Sequence, residues 1–183
     1  MNRNADNSFQ TQKSSKNKTM NLNPSSTYKI RFNDCDLFGH LNNSRYLDYF
    51  INAREDHLKD YYDLDLPAYY KSGLGWVVGS HEIAYLKPAR YNEEVTIRST
   101  LLAVTPDQIH VEILMIGGDQ NHLKAIMRTK LIPVNINTGK KQQHPADFTQ
   151  WAQSLQNTIA NQALDLQQRI GQLLAEFKTA QPS

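Results

Sequence analysis

The chain has 183 residues, enough for one domain with some length to spare. Its formal net charge of +2, from 20 Lys and Arg against 18 Asp and Glu, is too near neutral for a nucleic-acid binder, and no apolar run approaches the ~18 residues of a membrane span. The lone Cys35 cannot form an internal disulfide and the N-terminus lacks the apolar core of a secretion signal, so the cytoplasm is the expected compartment.

Hydrophobic residues make up 39% of the chain, low for a globular protein, so they must be unevenly spread. Residues 1–26 are rich in Asn, Ser, Lys and Gln and read as a disordered tail. "TYKIRF" (27–32) then alternates polar and apolar, as a strand with one wet face does. After a polar connection, Tyr46, Leu47, Phe50, Ala53, Leu58 and Tyr61 keep the three-and-four spacing of a helix ending near Tyr62, with Asn42 or Asn43 to cap it. From Gly75 to Val134 the period becomes two. "WVVGSHEIAYLK" is closed by Pro88, "VTIRSTLLAV" by a Pro106-Asp107 turn, "IHVEILMI" by Gly117-Gly118-Asp119, and "HLKAIMRTKLIPV" returns. This predicts an α+β domain over 27–147, an antiparallel meander of about five strands with one face covered by the long helix. Phe148, Trp151, Leu155, Ile159, Leu166, Ile170, Leu173 and Phe177 predict a further helix within 148–183, docked on its own domain or paired with another subunit. Gly171 and sparse flanking charges weigh against a coiled coil.

The connection between first strand and helix, "RFNDCDLFGHLNNSRY" (31–46), holds the chemistry. A helix N-terminus carries unpaired amides and partial positive charge, so amides around Asn42 to Arg45 can polarise a carbonyl set before them. Asp36 lies close enough in sequence to fold its carboxylate to the same spot, and Gly39 permits a backbone shape closed to other residues. One carboxylate and one electrophile-activating helix end are the minimal parts for attack on an acyl group. By spacing alone the same residues also serve as ordinary helix caps.

"DCDLFGHLNNSRYLDYFINAR", with "HEIAYLKPARYNEEVTIRS" further on, resembles the 4-hydroxybenzoyl-CoA thioesterase and YbgC/FadM-like branch of the hotdog superfamily. The Asp-x-Asp-x-x-Gly-His-x-Asn-Asn run is matched at Asp34, Asp36, Gly39, His40, Asn42 and Asn43. Tyr46 and the helical pair Ala53-Arg54 follow, and the later Tyr-x-x-Pro-Ala is matched at Tyr85, Pro88 and Ala89. The resemblance implies a curved antiparallel sheet wrapping a central helix, in a homodimer or homotetramer whose sites lie between subunits. It implies hydrolysis of acyl-CoA thioesters, with no cofactor beyond the CoA portion of the substrate. Position by position, Asp36 matches the catalytic acid, as nucleophile or general base, and the Asn43 amide matches the donor to the thioester carbonyl. An acyl-carrier-protein thioesterase and a non-catalytic acyl-binding or assembly protein are the alternatives.

Other residues admit two readings each. His40 either transfers a proton, orients Asp36 or holds the loop. Asp34 is expected to pair with Arg31 or make turn hydrogen bonds. Asp34, Cys35, Asp36 and His40 lack a second His and match no metal-ligand spacing, so no metal is expected. His81 is a site candidate on its strand. Arg90, Lys124, Arg128 and Lys130 are candidates for the CoA phosphates, or else a solvated face. Tyr46, Tyr49, Phe50 and Trp76 either line the acyl pocket or fill the core. Arg54, sharing a helix face with His57, is expected to be structural, salt-bridged to neighbours of Glu55 or to a subunit partner.

Overall fold

The computed structural model describes residues 20–118, 122–158, 160 and 165–179. Asn42 starts the long helix α1 (Asn43–Tyr62): its side-chain oxygen accepts from the Ser44 N–H, as an N-cap does. Asp63, in the left-handed region at φ 53°, ends it. Tyr46, Phe50, Ala53 and His57 are buried, a single stripe at helical spacing.

That stripe lies on a five-stranded antiparallel sheet built from β1 (Ser25–Lys29), β2 (Leu74–Tyr85), β3 (Glu94–Thr105), β4 (Gln108–Gly117) and β5 (Leu123–Asn135), in the order β1-β3-β4-β5-β2. β1 begins at Ser25, inside the segment read as tail; residues 1–19 of that segment lie outside the described residues. The expected four-strand meander holds only for β3, β4 and β5. β2 pairs with β5 instead of β3, so the connection through Pro88 carries the chain from one side of the sheet to the other. Asp119 of the turn predicted between β4 and β5 is outside the described residues. A short helix α2 (Leu66–Lys71), capped by Asp65 with Pro67 in its first turn, links α1 to β2.

β4 is almost continuously buried because both of its faces are covered. Val111, Ile113 and Met115 join Phe50 and Ala53 of α1 in one core. Leu114 and Ile116, on the opposite face, pack with Leu166, Ile170 and Leu173 of the last helix. The single C-terminal helix expected from spacing is therefore two, α3 (Ala146–Gln153) and α4 (Leu166–Thr179), with Ile159 outside the described residues. Phe148 and Leu155 bury in the core shared with α1, whereas Leu166 to Leu173 bury on the other side of the sheet. One straight helix cannot lie on both faces. Of the two expected placements, α4 takes the docked one, on its own sheet.

Candidate active site

Asp36 sits in a tight loop whose backbone is paired on two sides. Its N–H donates to His40 O at 2.7 Å, and Gly39 N donates back to Asp36 O at 3.0 Å. Gly39 has φ 71°, and a Cβ added there would meet nothing within 4 Å, so the glycine serves the turn's conformation and not close packing. The carboxylate takes part too: Asp36 Oδ1 accepts from Phe38 N at 2.9 Å and His40 N at 3.1 Å. Asp36 is exposed. Among the described residues no hydrogen bond is made to its Oδ2, which leaves one carboxylate oxygen to act outward.

The helix start lies at the end of this loop. Asn42 takes two amides of the first turn, Ser44 N through its side chain and Arg45 N through its carbonyl at 2.8 Å. The Asn43 N–H has no acceptor among the described residues. The carbonyl of the same residue accepts from the Tyr85 hydroxyl at 3.0 Å, which ties the helix start to the end of β2.

The two sequence motifs meet here. Leu41 N donates to Ala89 O at 2.8 Å, His40 and Arg90 form an antiparallel bridge, and Tyr91 N donates to Gly39 O at 2.9 Å. Tyr46 accepts from Ala89 N at 3.0 Å while its ring packs edge-on against Tyr85, centroids 5.0 Å apart. Tyr46 is 2% exposed. It is thus a buried brace beneath the loop and not the substrate-lining side chain considered from sequence; burial raises its pKa.

Of the proposed cations, Arg90 stays beside the loop, exposed. Arg128 does not belong to the site. It lies under α4, donating through Nε and Nη2 to Glu112 Oε2 at 3.1 and 3.0 Å. Lys124 is also internal, held by Pro88 O at 2.9 Å and Glu93 Oε1 at 2.7 Å. Lys130 is exposed but alternates with the helix-facing Thr129 and Leu131, so it points to the outer face with Arg128. Spacing put these lysines and Arg128 on one strand face correctly; it could not reveal that α4 covers that face. Of the two readings of Asp34, its backbone makes turn hydrogen bonds with Arg31 O and Asn42 N, while its carboxylate accepts from Tyr49 Oη at 2.8 Å and lies 3.9 Å from Arg45 in place of Arg31.

His81 is on β2, which forms an open edge of the sheet. A bulge between Val78 and Ser80 turns Val78, His81, Ile83 and Tyr85 all toward the α1 side. Partial burial lowers the His81 pKa. Among the described residues no hydrogen bond links it to the Asp36 loop.

A cavity of about 230 Å³ opens between α1 and the sheet, one turn and more beyond the loop. Its mouth is formed by exposed Ile51, Val78 and Tyr70, its depth by Leu101, Ile113 and Leu155. Trp76 forms one wall and is fixed by His144, which the sequence did not single out. Trp76 Nε1 donates to His144 Nε2 at 2.9 Å, His144 Nδ1 donates to Thr105 O at 2.9 Å, and Phe148 stacks on the imidazole at 5.0 Å. Both ring nitrogens are used by the neutral tautomer, and burial lowers the His144 pKa. Tyr49 and Phe50 are placed in the core cluster, away from the cavity lining.

Residues 30–152 match the thioesterase-like superfamily. The chain belongs to this superfamily. Thioester hydrolysis is the enzyme class that membership carries. No curated protein matches the chain. Among solved structures, a probable thioesterase from Bartonella henselae superposes with a TM-score of 0.61 at 21% identity, over 67% of this chain and 99% of its own. The probable thioesterase YbaW from Escherichia coli gives 0.63 at 20% identity, over 73% and 98%. A DHNA-CoA thioesterase from Staphylococcus aureus gives 0.65 at 16% identity, over 88% and 97%. These likenesses establish the hotdog fold of the superfamily member described here: one long helix against a curved antiparallel sheet. Among its described residues no helix is long and apolar enough to cross a membrane, and no cluster of three or more potential metal ligands forms.

Proposed function

We propose that the protein hydrolyses the CoA thioester of a short or medium acyl group, with Asp36 as nucleophile or general base on water and the Asn43 N–H polarising the thioester carbonyl. The observation that carries this reading is the pair of unused groups at one helix start. Oδ2 of Asp36 and the N–H of Asn43 have no partner among the described residues, whereas the amides from Phe38 to Asn42 and those of Ser44 and Arg45 are taken by Asp34, Asp36, Asn42 or Ala89. A carboxylate with one oxygen held by backbone amides keeps a fixed direction, and an unpaired amide at a helix N-terminus stabilises an oxyanion. The thiolate leaves readily, so one acid suffices.

The working unit is a homodimer. β2 presents an unpaired edge with Val77 and Val78 each 48% exposed, the kind of edge that pairs with another strand. Tyr85, at one end of β2, touches the helix start; Trp76, nine residues away, walls the cavity. That span is roughly 30 Å at ~3.3 Å per residue. Antiparallel pairing of two β2 edges about a twofold near Ser80 and His81 sets the acid of one chain opposite the cavity of its partner. His81 then stands at the seam, and Arg90 at the rim serves the CoA phosphates. The cavity is below the ~300 Å³ lower range of ligand pockets, which argues for a small acyl group.

A panel of CoA thioesters, aromatic and aliphatic, short to long, assayed by thiol release tests the proposal. Turnover that peaks at short or medium acyl groups is expected. Equal or better rates on the same acyl group carried by acyl-carrier protein would move the substrate to a protein partner, and no turnover of any thioester would remove the hydrolase reading.

A further inference from the structure

The turn that carries Asp36 ends in two apolar side chains that the chain itself does not cover. Leu37 is fully exposed and Phe38 is 84% exposed, and neither belongs to a core cluster. They do not sit on a loose segment. Phe38 N and His40 N donate to Asp36 Oδ1, while Gly39 is bonded through its N–H to Asp36 O and through its carbonyl to Tyr91 N. A turn held at so many points keeps both side chains directed out of the protomer, so little ordering is left to be done when a surface meets them.

Of the exposed large hydrophobic side chains among the described residues, all but Met20, Ile136 and Leu174 fall in two places. Leu37 and Phe38, with the edge-on pair Phe32 and Tyr91, form the first, on and beside the acid turn. The second is the cavity mouth and the open β2 edge, with Ile51, Tyr70, Val77, Val78 and Tyr85. Apolar patches of this kind on one monomer mark surfaces made to be covered. Two β2 edges paired antiparallel about a twofold between Ser80 and His81 place Tyr85 opposite the partner's Trp76, and Ile83 opposite the partner's Val78. Tyr85 holds the helix start through Asn43 O, and Trp76 walls the cavity. The acid turn of each chain then meets the cavity mouth of the other, and the twofold repeats the contact, as in an isologous interface. A second copy of this chain therefore supplies the cover for both patches at once. The cavity so closed is one for hydrocarbon. Arg54 lines it, but its Nη1 donates to Ser99 Oγ at 3.2 Å and its Cζ lies 5.8 Å from the Tyr62 ring centroid. Arg54 makes no ion pair among the described residues, so the salt bridge expected from sequence is absent within the chain.

We infer that Leu37 and Phe38 enter the partner's cavity mouth, form the part of the acyl pocket next to the thioester, and restrict the substrate to acyl groups unbranched at the carbon beside the carbonyl. Phe38 is two residues from the acid, and so beside the carbon that is attacked. Its ring and the Leu37 side chain, set against the partner's Val78 and Tyr70, leave a slot that a methylene chain passes and a branch or ring overfills. This deepens the proposed hydrolase reading and rests on it for the chemistry, whereas the seat of the two side chains is tested apart from turnover.

Two measurements decide it. In a Cys35→Ala background, Phe38→Cys combined with Tyr70→Cys is treated with a short bis-maleimide at low protein concentration. Phe38 precedes α1 and Tyr70 follows it, so the 20 residues of that helix hold the two about 30 Å apart within one chain. A covalent dimer on a denaturing gel, absent from each single-cysteine variant, is expected. No dimer, or as much from either single variant, overturns the placement. The second measurement is kcat/KM for butyryl-CoA against isobutyryl-CoA, and for hexanoyl-CoA against benzoyl-CoA. The wild type should favour the straight chain in both pairs, and Phe38→Ala should lower both ratios about tenfold, the scale of one methylene group in an apolar pocket. Leu37→Ala should act in the same direction, and Phe38→Leu replaces Phe38→Ala if the latter does not fold or pair. Equal wild-type rates, a preference for the branched or aromatic group, or ratios unmoved by the variants overturn the specificity. If no thioester is turned over, calorimetric affinities for butyryl-CoA and isobutyryl-CoA take the place of the rates. Tighter straight-chain binding that Phe38→Ala erodes supports the inference, and equal or absent binding overturns it.

Discussion

His40 and Arg90 face one another across an antiparallel bridge, beside the Tyr91 N–H bond to Gly39 O. Two segments far apart in sequence thus fix the turn that carries Asp36. The acid is directed by backbone pairing, which side-chain substitution leaves largely intact, and this shapes the first prediction.

Asp36→Asn should lower thioesterase kcat about 100-fold or more while leaving the melting temperature near that of the wild type. An asparagine oxygen can still accept from Phe38 N and His40 N, so the turn survives and only the reactive oxygen is lost. Thiol-release assays with a thermal melt check both halves; full turnover in the variant would take Asp36 out of the mechanism.

Tyr46→Phe should cost about 1–3 kcal/mol of stability in urea denaturation. The Ala89 N–H, which donates to the Tyr46 hydroxyl, is left buried and unpaired. A variant as stable as the wild type would show that the brace contributes little.

Stability should fall as pH is lowered from about 6.5 toward about 4. His57 is fully buried, and burial first, with the Arg54 charge second, holds its folded pKa at about 4. An unfolded histidine titrates near ~6.5, so between these values the unfolded chain binds more protons. The contribution is complete above about 6.5 and is lost as pH falls through the window, by about 3 kcal/mol at most. Denaturation midpoints at a series of pH values should slope less in His57→Gln. They should not become flat, because burial lowers the pKa of His110 and His144 as well.

Glu112→Gln should destabilise the chain by about 3–5 kcal/mol and loosen α4. Glu112 is 1% exposed and accepts from both Arg128 on β5 and Arg169 on α4, so neutralising it leaves buried Arg128 without its charge partner and Arg169 with only Glu176 at 3.8 Å. Limited proteolysis between residues 153 and 179, read beside the melting temperature, measures the effect; unchanged protection would mean that Leu166, Ile170 and Leu173 hold α4 unaided.

Val77→Asp should convert the proposed dimer to a monomer and abolish turnover without unfolding the chain. Val77 is exposed on the open β2 edge, where a charge opposes strand pairing. Light scattering and the thiol-release assay together check it, and an active monomer would refute a site shared between subunits.

Sequence alone identified the helix over Asn43–Tyr62, the period-two strands after it and the polar turn at Asp36, because local patterning and capping decide those features within a few residues. It reached Asn42, Gly39 and the chemistry of the turn for the same reason. Which strand β2 joins, which face α4 covers and whether a charged side chain is buried depend on contacts between residues far apart in the chain. Arg128 therefore read as a surface cation until Glu112 and α4 were seen over it, and Tyr46 stayed open between pocket and core until Ala89 was seen bonded to its hydroxyl. The cavity between α1 and the sheet has no local signature at all. It exists only where α1, the sheet and α3 come together, since an enclosed space is a property of packing and not of any one segment.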